Sequence, residues 1–371
     1  MLRSFEEWRS LQRDLPPPQA RPGTLLLIRL DDIGDYLLFR NQLAMYKRSP
    51  RWCDHRIVLL ANESWRELCT LLDADAVDEV IWVDKNRYLA SAPYRWEIWS
   101  DLRRRGFETV VATSRTRPLL LDDLCMLAAA PIVSLGCVNE QFHARWTEVS
   151  DALYGSLFQP SQPLLHEFRF NAEFSSWVNG IRYDGERPRI ELPFSAPAPS
   201  SYLVCFVGAS IRSKRWPVAR WIEFLMLYRR RAGGRVFLAG RGDAELEMVR
   251  MIQERTDAQS IAGGSFADLL RWIAGAAAVV SNDTMAAHLG VSLGRPTVIV
   301  ANGINYMRFA EYRLAGIAGV TAVYPDVLRR RRLRRGDGPY DYSEVVSADI
   351  ASIPADAVLA QLEAITGAVR P

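Results

Sequence analysis

The chain has 371 residues, 49% of them apolar and 24% charged, with a net charge of +3. At ~150 residues per domain this length predicts two domains, each able to bury a core without disulfides or metals. The composition excludes a disordered or fibrous chain. No apolar run approaches the ~20 residues of a membrane-spanning helix, and the start Met1–Trp8 lacks the apolar stretch of a secretory signal. These features together predict a cytoplasmic globular protein.

The five cysteines (Cys53, Cys69, Cys125, Cys137, Cys205) are scattered and read as reduced small hydrophobes. The four histidines (His55, His143, His166, His288) show no i, i+4 pair of the kind that holds zinc. The charge is too small to imply nucleic acid, but its distribution is uneven. Leu328–Arg335 reads LRRRRLRR, and without its six arginines the balance inverts to −3. The run reads as a solvated loop, with an anionic acceptor or the inner membrane surface as the sharper alternative.

An amphipathic stretch with Phe5, Trp8 and Leu11 precedes Pro16-Pro17-Pro18, predicting an appended helix over 1–22. Thr24–Leu30 (TLLLIRL) is a continuous apolar run, the pattern of a strand buried on both faces of a parallel sheet. Ile33–Lys47 has helical spacing. Arg56–Leu60, Glu79–Val83, Thr109–Thr113 and Ile132–Leu135 repeat the strand pattern with helical stretches between them, which is βαβ logic. The pattern weakens over 139–200, and Pro193, Pro197 and Pro199 read as a linker. A second series follows: strands at Tyr202–Val207, Val236–Ala239, Ala278–Ser281 and Thr297–Val300, and helices at Val218–Arg231, Ala244–Glu254, Phe266–Ala276 and Thr284–Leu293. Pro354–Thr366 reads as a closing helix. The expected fold is α/β, with a first Rossmann-like domain over 23–195, a second over 196–348, and a terminal helix over 349–371. A ligand cleft is expected between their strand C-termini.

Three constellations could carry chemistry. At the end of the first strand, Arg29-Leu30-Asp31-Asp32-Ile33-Gly34-Asp35 places three acids where one would suffice to cap the following helix. One acid is assigned to capping and Asp35, in the first turn, is kept as a candidate base. The second is Gly208-Ala209-Ser210-Ile211-Arg212-Ser213-Lys214-Arg215-Trp216-Pro217. Its small residues, its helix start and Lys214 together can hold a phosphate. The spacing is not that of a Walker ATPase, and the bland reading is a solvated basic loop. The third is Ser281-Asn282-Asp283-Thr284-Met285-Ala286-Ala287-His288, in which Asp283 or Thr284 can cap a helix whose same face carries His288. Gly240-Arg241-Gly242 lacks the third glycine of a dinucleotide fingerprint, and no Gly-x-Ser-x-Gly elbow exists.

Taken in order, these pieces resemble glycosyltransferase family 9, the bacterial heptosyltransferases. The matching segments are LLLIRLDDIGDYLLFRNQL, HEFRFNAEFSSWV, VGASIRSKRWPVARWIEFL, GRGDAELE and AGGSFADLLRWIAGAAAVVSNDTMAAHLGVSLGRPTVIV, within residues 24–303. The resemblance implies a GT-B fold and inverting transfer, commonly from ADP-heptose to lipopolysaccharide core, with the acceptor held by the first domain and the nucleotide sugar by the second. Position by position it implies Asp35 as general base and Lys214 on the donor diphosphate. Asp283, Thr284 and His288 fall in the donor block, beside Ser210, and Glu245 near the nucleotide ribose. Asp32 and Arg29 are expected toward the acceptor. No acid cluster for a metal is evident, so transfer without a metal or other cofactor is expected, with peripheral contact at the inner membrane face as a further expectation. The chain departs from the family at Met285-Ala286, where core enzymes have Gly-Pro, and over Asn302–Phe309. Alternatives on the same scaffold are a nucleotide-sugar epimerase or hydrolase, or a non-catalytic nucleotide-sugar-binding protein.

Overall fold

The computed structural model describes residues 15–139, 144–162, 165–195, 197, 201–304, 306–328 and 347–367, together with 9 and 13. The N-terminal helix expected around Phe5, Trp8 and Leu11 and the run Arg329–Arg335 lie outside the described residues. The chain divides into two compact units, residues 1–162 with 169–185, and residues 163–168 with 186–371. It leaves the first unit at Gly185, ahead of the proline-containing stretch. From there, in the second unit, Arg187 donates to Val291 O and the Ile190 N–H to Ser292 O.

The first unit is a six-stranded parallel sheet built from β1 (Thr24–Arg29), β2 (Arg56–Asn62), β3 (Glu79–Val83), β4 (Thr109–Ala112), β5 (Val133–Cys137) and β6 (Ser156–Phe158), in the order β3-β2-β1-β4-β5-β6. β1 is buried along its length after Thr24, as its unbroken apolar run requires of a central strand covered on both faces. Leu26, Ile28, Val58, Leu60, Val110 and Ala112 share one core with Trp99, Leu102 and Leu124 from the covering helices.

The second unit repeats the plan with β7 (Leu203–Phe206), β8 (Val236–Ala239), β9 (Gln259–Ser260), β10 (Ala278–Asn282), β11 (Thr297–Val300) and β12 (Val320–Val323), ordered β12-β11-β10-β7-β8-β9. Its core gathers Leu203, Cys205, Val280, Val298, Trp216 and Trp221. The C-terminal helix Ala355–Thr366 closes this unit by adding Val358, Leu359 and Leu362 to that core. Helix Met285–Ser292 lies close against its sheet, and a β-carbon at Gly290 would stand 2.6 Å from Thr297 Oγ1.

Both sheets therefore follow the doubly wound order, in which chain direction away from the first strand reverses between it and the fourth. Ligands bind such sheets at that reversal, beyond the strand C-termini. In the first unit the reversal lies between β1 and β4, and in the second between β7 and β10. The strands missed by pattern, β6, β9 and β12, are all outermost and two to four residues long. Edge strands that short present no apolar run to read. Cys53 is exposed and the other four cysteines are buried, and none of the five is in a disulfide.

Candidate functional site

The first unit presents its acids where β1 ends. Asp35 occupies the first turn of the helix Ile33–Arg48 and is half-buried. Capping differs from expectation. Asp32 stands at the N-cap position, but its side chain makes no cap hydrogen bond. Its carboxylate instead pairs with Lys85 Nζ at 2.9 Å, because the turn after β3 brings that ammonium to the same edge. Burial works against the Lys85 charge, yet Asp32, Asp31 and Asp35 together raise its pKa. Asp31 pairs with Arg29 Nε at 2.8 Å, and its carbonyl accepts from Asn62 Nδ2 at 2.9 Å and Trp65 Nε1 at 3.2 Å. Asp32, Asn62, Glu63, Asp84 and Lys85 line a cleft of ≈ 440 Å³ beyond β1, β2 and β3.

Arg29, expected to touch the acceptor, is fully buried. Its donors are turned inward to Asp31, to Thr113 O at 2.9 Å, to Asn171 Oδ1 at 3.2 Å and to Asp35 O at 3.3 Å. A cation in the last position of a central strand is affordable only because each face of the guanidinium meets an acceptor or, at 4.7 Å, the Phe39 ring.

The second unit brings together the other two constellations. Lys214 Nζ meets Asp283 Oδ2 at 2.7 Å, with the side chains only 12% and 5% exposed. The join is made by Asn282, the last residue of β10. Its amide donates to Val207 O at 2.8 Å and Gly208 O at 3.1 Å, and accepts from Trp216 N at 3.1 Å. One asparagine thus fixes both ends of the loop 208–216 against β10. Nothing in local sequence marks Asn282 for this role beyond an amide ending an apolar strand. Ser210 is exposed on the loop.

Thr284 is the N-cap residue of helix Met285–Ser292, but neither it nor Asp283 provides the expected side-chain cap. Its Oγ1 lies 3.3 Å from Ser281 Oγ. The first turn's N–H groups therefore carry no side-chain cap, a condition suited to an anion. His288 is 4% exposed, and Tyr312 Oη lies 2.6 Å from its Nδ1. Burial pushes its pKa down to about 4, with Asp283 raising and Lys214 lowering it, so the ring is neutral at physiological pH. Glu245 is half-buried and accepts from the Arg241 N–H at 2.7 Å. Burial raises its pKa against the pull of that N–H and of Arg215. Its carboxylate covers Gly208, where a β-carbon would stand 1.9 Å from Glu245 Cδ. Beside it Gly240, Arg241, Phe266 and Met285 line a small pocket, with the Arg241 guanidinium 4.8 Å from the Phe266 ring centroid. Phe266, in the pocket beside Glu245, and Tyr312, against His288, were not singled out from the sequence. Among the described residues no group of three or more His, Cys, Asp or Glu could hold a metal ion, and no helix is long and apolar enough to cross a membrane.

The model of "Glycosyltransferase family 9 (heptosyltransferase)" matches residues 165–300. No curated protein matches the sequence. Among solved structures, a glycosyl transferase family 9 protein from Veillonella parvula aligns with a TM-score of 0.68 at 14% identity, over 95% of this chain and 100% of its own. The E. coli heptosyltransferase WaaC with ADP gives 0.63 at 18% identity, over 92% and 99%. The same enzyme with ADP-2-deoxy-2-fluoro heptose gives 0.59 at 20%, over 74% and 88%. These likenesses show the fold, two Rossmann-like units of the GT-B class. The resemblance read from the motifs is borne out: the model of this family matches residues 165–300, which indicates an enzyme of the glycosyltransferase class.

Proposed function

We propose that the protein transfers heptose or a related sugar, with inversion, from an ADP-linked sugar to a hydroxyl of a bacterial glycan or glycolipid. The observation that carries this reading is the Lys214–Asp283 pair at the strand reversal of the second sheet, beside an uncapped helix start. A departing diphosphate gains charge as the sugar–oxygen bond breaks, and a lysine with a helix N-terminus offsets that charge. Asp283 cannot itself bind a phosphate oxygen, so its role in donor binding runs through holding Lys214. Ser210, Thr284 and neutral His288 supply hydrogen bonds, and the Glu245 carboxylate suits ribose hydroxyls. An ADP donor is supported by the two WaaC complexes, with ADP and with an ADP-heptose analogue. Met285, which follows Thr284 and lines the small pocket beside Glu245, is the residue expected to alter the sugar accepted.

In the first unit Asp35 takes the acceptor proton as the acceptor oxygen attacks the anomeric carbon, opposite the leaving diphosphate. The half-buried carboxylate at the end of the first sheet supports this, as does the polar cleft holding Asp32 beside it. The reaction is placed in the cytoplasm, with peripheral contact at the inner membrane face, and proceeds without a metal. The test is a thermal-shift screen of ADP-, UDP- and GDP-sugars, followed by turnover with ADP-heptose and a lipopolysaccharide-core acceptor in excess EDTA. ADP-heptose is expected to give the largest shift. Asp35→Asn is expected to bind it normally while losing transfer by about 10²–10⁴-fold. Full turnover by that variant removes Asp35 as base, and donor consumption without acceptor points to an epimerase or hydrolase.

A further inference from the structure

We infer that Arg29 and Asn171 are positioning residues that hold the first turn of the helix Ile33–Arg48, and with it Asp35, against the C-terminal edge of the first sheet. The inference rests on the reading of Asp35 as the base.

A catalytic carboxylate in a first helical turn needs that turn fixed, and the usual fastener is a side-chain cap. Here that fastener is absent, because Asp32 is engaged by Lys85. The turn is secured from beneath instead. The Arg29 guanidinium, fully buried, reaches four acceptors on three separate segments: the Asp31 carboxylate in the loop, Thr113 O past the end of β4, Asn171 Oδ1, and the main-chain carbonyl of Asp35 itself. Asn171, also fully buried, donates its amide to Leu38 O at 3.2 Å, one turn further along the same helix. Two side chains in mutual contact therefore grip the helix at residues 35 and 38 from the side of the sheet reversal.

The planar fork of arginine is what makes this possible, since its donors diverge in fixed directions. A lysine in the same place would keep the charge and serve fewer of the four acceptors. Because the Asp35 carbonyl is held at 3.3 Å from a guanidinium that is itself anchored elsewhere, the backbone from which the Asp35 side chain projects is fixed by Arg29. A misplacement of about 1 Å at a reacting group lowers turnover by about 10²-fold.

The experiment compares Arg29→Gln, Arg29→Lys, Asn171→Ala and Asp35→Asn in the full chain. It uses ADP-heptose and a lipopolysaccharide-core acceptor for turnover, calorimetry for ADP affinity, and amide hydrogen exchange over residues 33–39. Arg29→Gln is expected to lower kcat by about 10–100-fold with ADP affinity unchanged, to speed exchange over 33–39 selectively, and to be partly rescued by Arg29→Lys. Asn171→Ala is expected to show the same split at smaller amplitude, and it decides the matter should Arg29→Gln fail to fold. Native kcat in folded Arg29→Gln or in Asn171→Ala, beside an inactive Asp35→Asn, overturns the positioning role and leaves the base in place. Full turnover in Asp35→Asn overturns the base assignment instead.

Discussion

Lys214→Met separates the roles of the two buried charges in the second unit. Methionine keeps the length of the side chain and removes the ammonium 2.7 Å from Asp283. With the Asp283 side chain only 5% exposed, its carboxylate is then left without its cation, at a cost of about 3 kcal/mol in stability. Binding loses more than one contact. A charged hydrogen bond to the diphosphate contributes about 1.5–3 kcal/mol, and the bared Asp283 repels the ligand by about 3 kcal/mol per unit charge at ~5 Å and an effective dielectric constant of ~20. Together these predict ADP binding weaker by about 10³–10⁴-fold in Lys214→Met. The double variant Lys214→Met/Asp283→Asn removes the repulsion and the orphaned charge together. It is expected to recover most of the lost stability and about 10²-fold of the affinity, while staying weaker than the native protein. Calorimetric titration with ADP and thermal unfolding of the three proteins measure both quantities. ADP affinity within twofold of native in Lys214→Met would refute the assignment of this lysine to the diphosphate.

Two further outcomes follow from the same unit. His288, held to about 4 by burial, stays neutral in the folded chain while the unfolded chain takes up a proton near 6.5. Its contribution to stability is therefore complete above pH 6.5 and is lost progressively as the pH falls toward 4, by about 3 kcal/mol in all. His288→Gln should flatten the midpoint-against-pH curve between 6.5 and 4.5, and parallel curves would exclude His288 as the source. Gly208→Ala places a methyl group where the Glu245 carboxylate lies, and that flexible side chain can swing away. The variant is expected to keep its melting temperature and lose nucleotide affinity, and unchanged ADP binding would remove Glu245 from the site.

The fold class was legible because its cause is local. Strands such as TLLLIRL and AVVSN must be covered on both faces, and alternation with helices forces parallel crossovers. The motifs at their C-termini were legible for the same reason, since a βα turn is where a backbone can meet a ligand. What pairing did with those residues was not. The fork of Arg29 read as a ligand contact because a sequence does not show that Thr113, Asn171 and Asp35 supply acceptors around it. Asp32 read as an acceptor contact because a sequence does not show that the turn after β3 brings Lys85 to it. His288 read as one more polar group at an anion site, and only its enclosure with Tyr312 makes it neutral. Periodicity is fixed by neighbours along the chain, whereas charge state and hydrogen-bond partnership depend on residues as distant as Arg29 and Asn171, 142 positions apart, and those are chosen only when the sheets close.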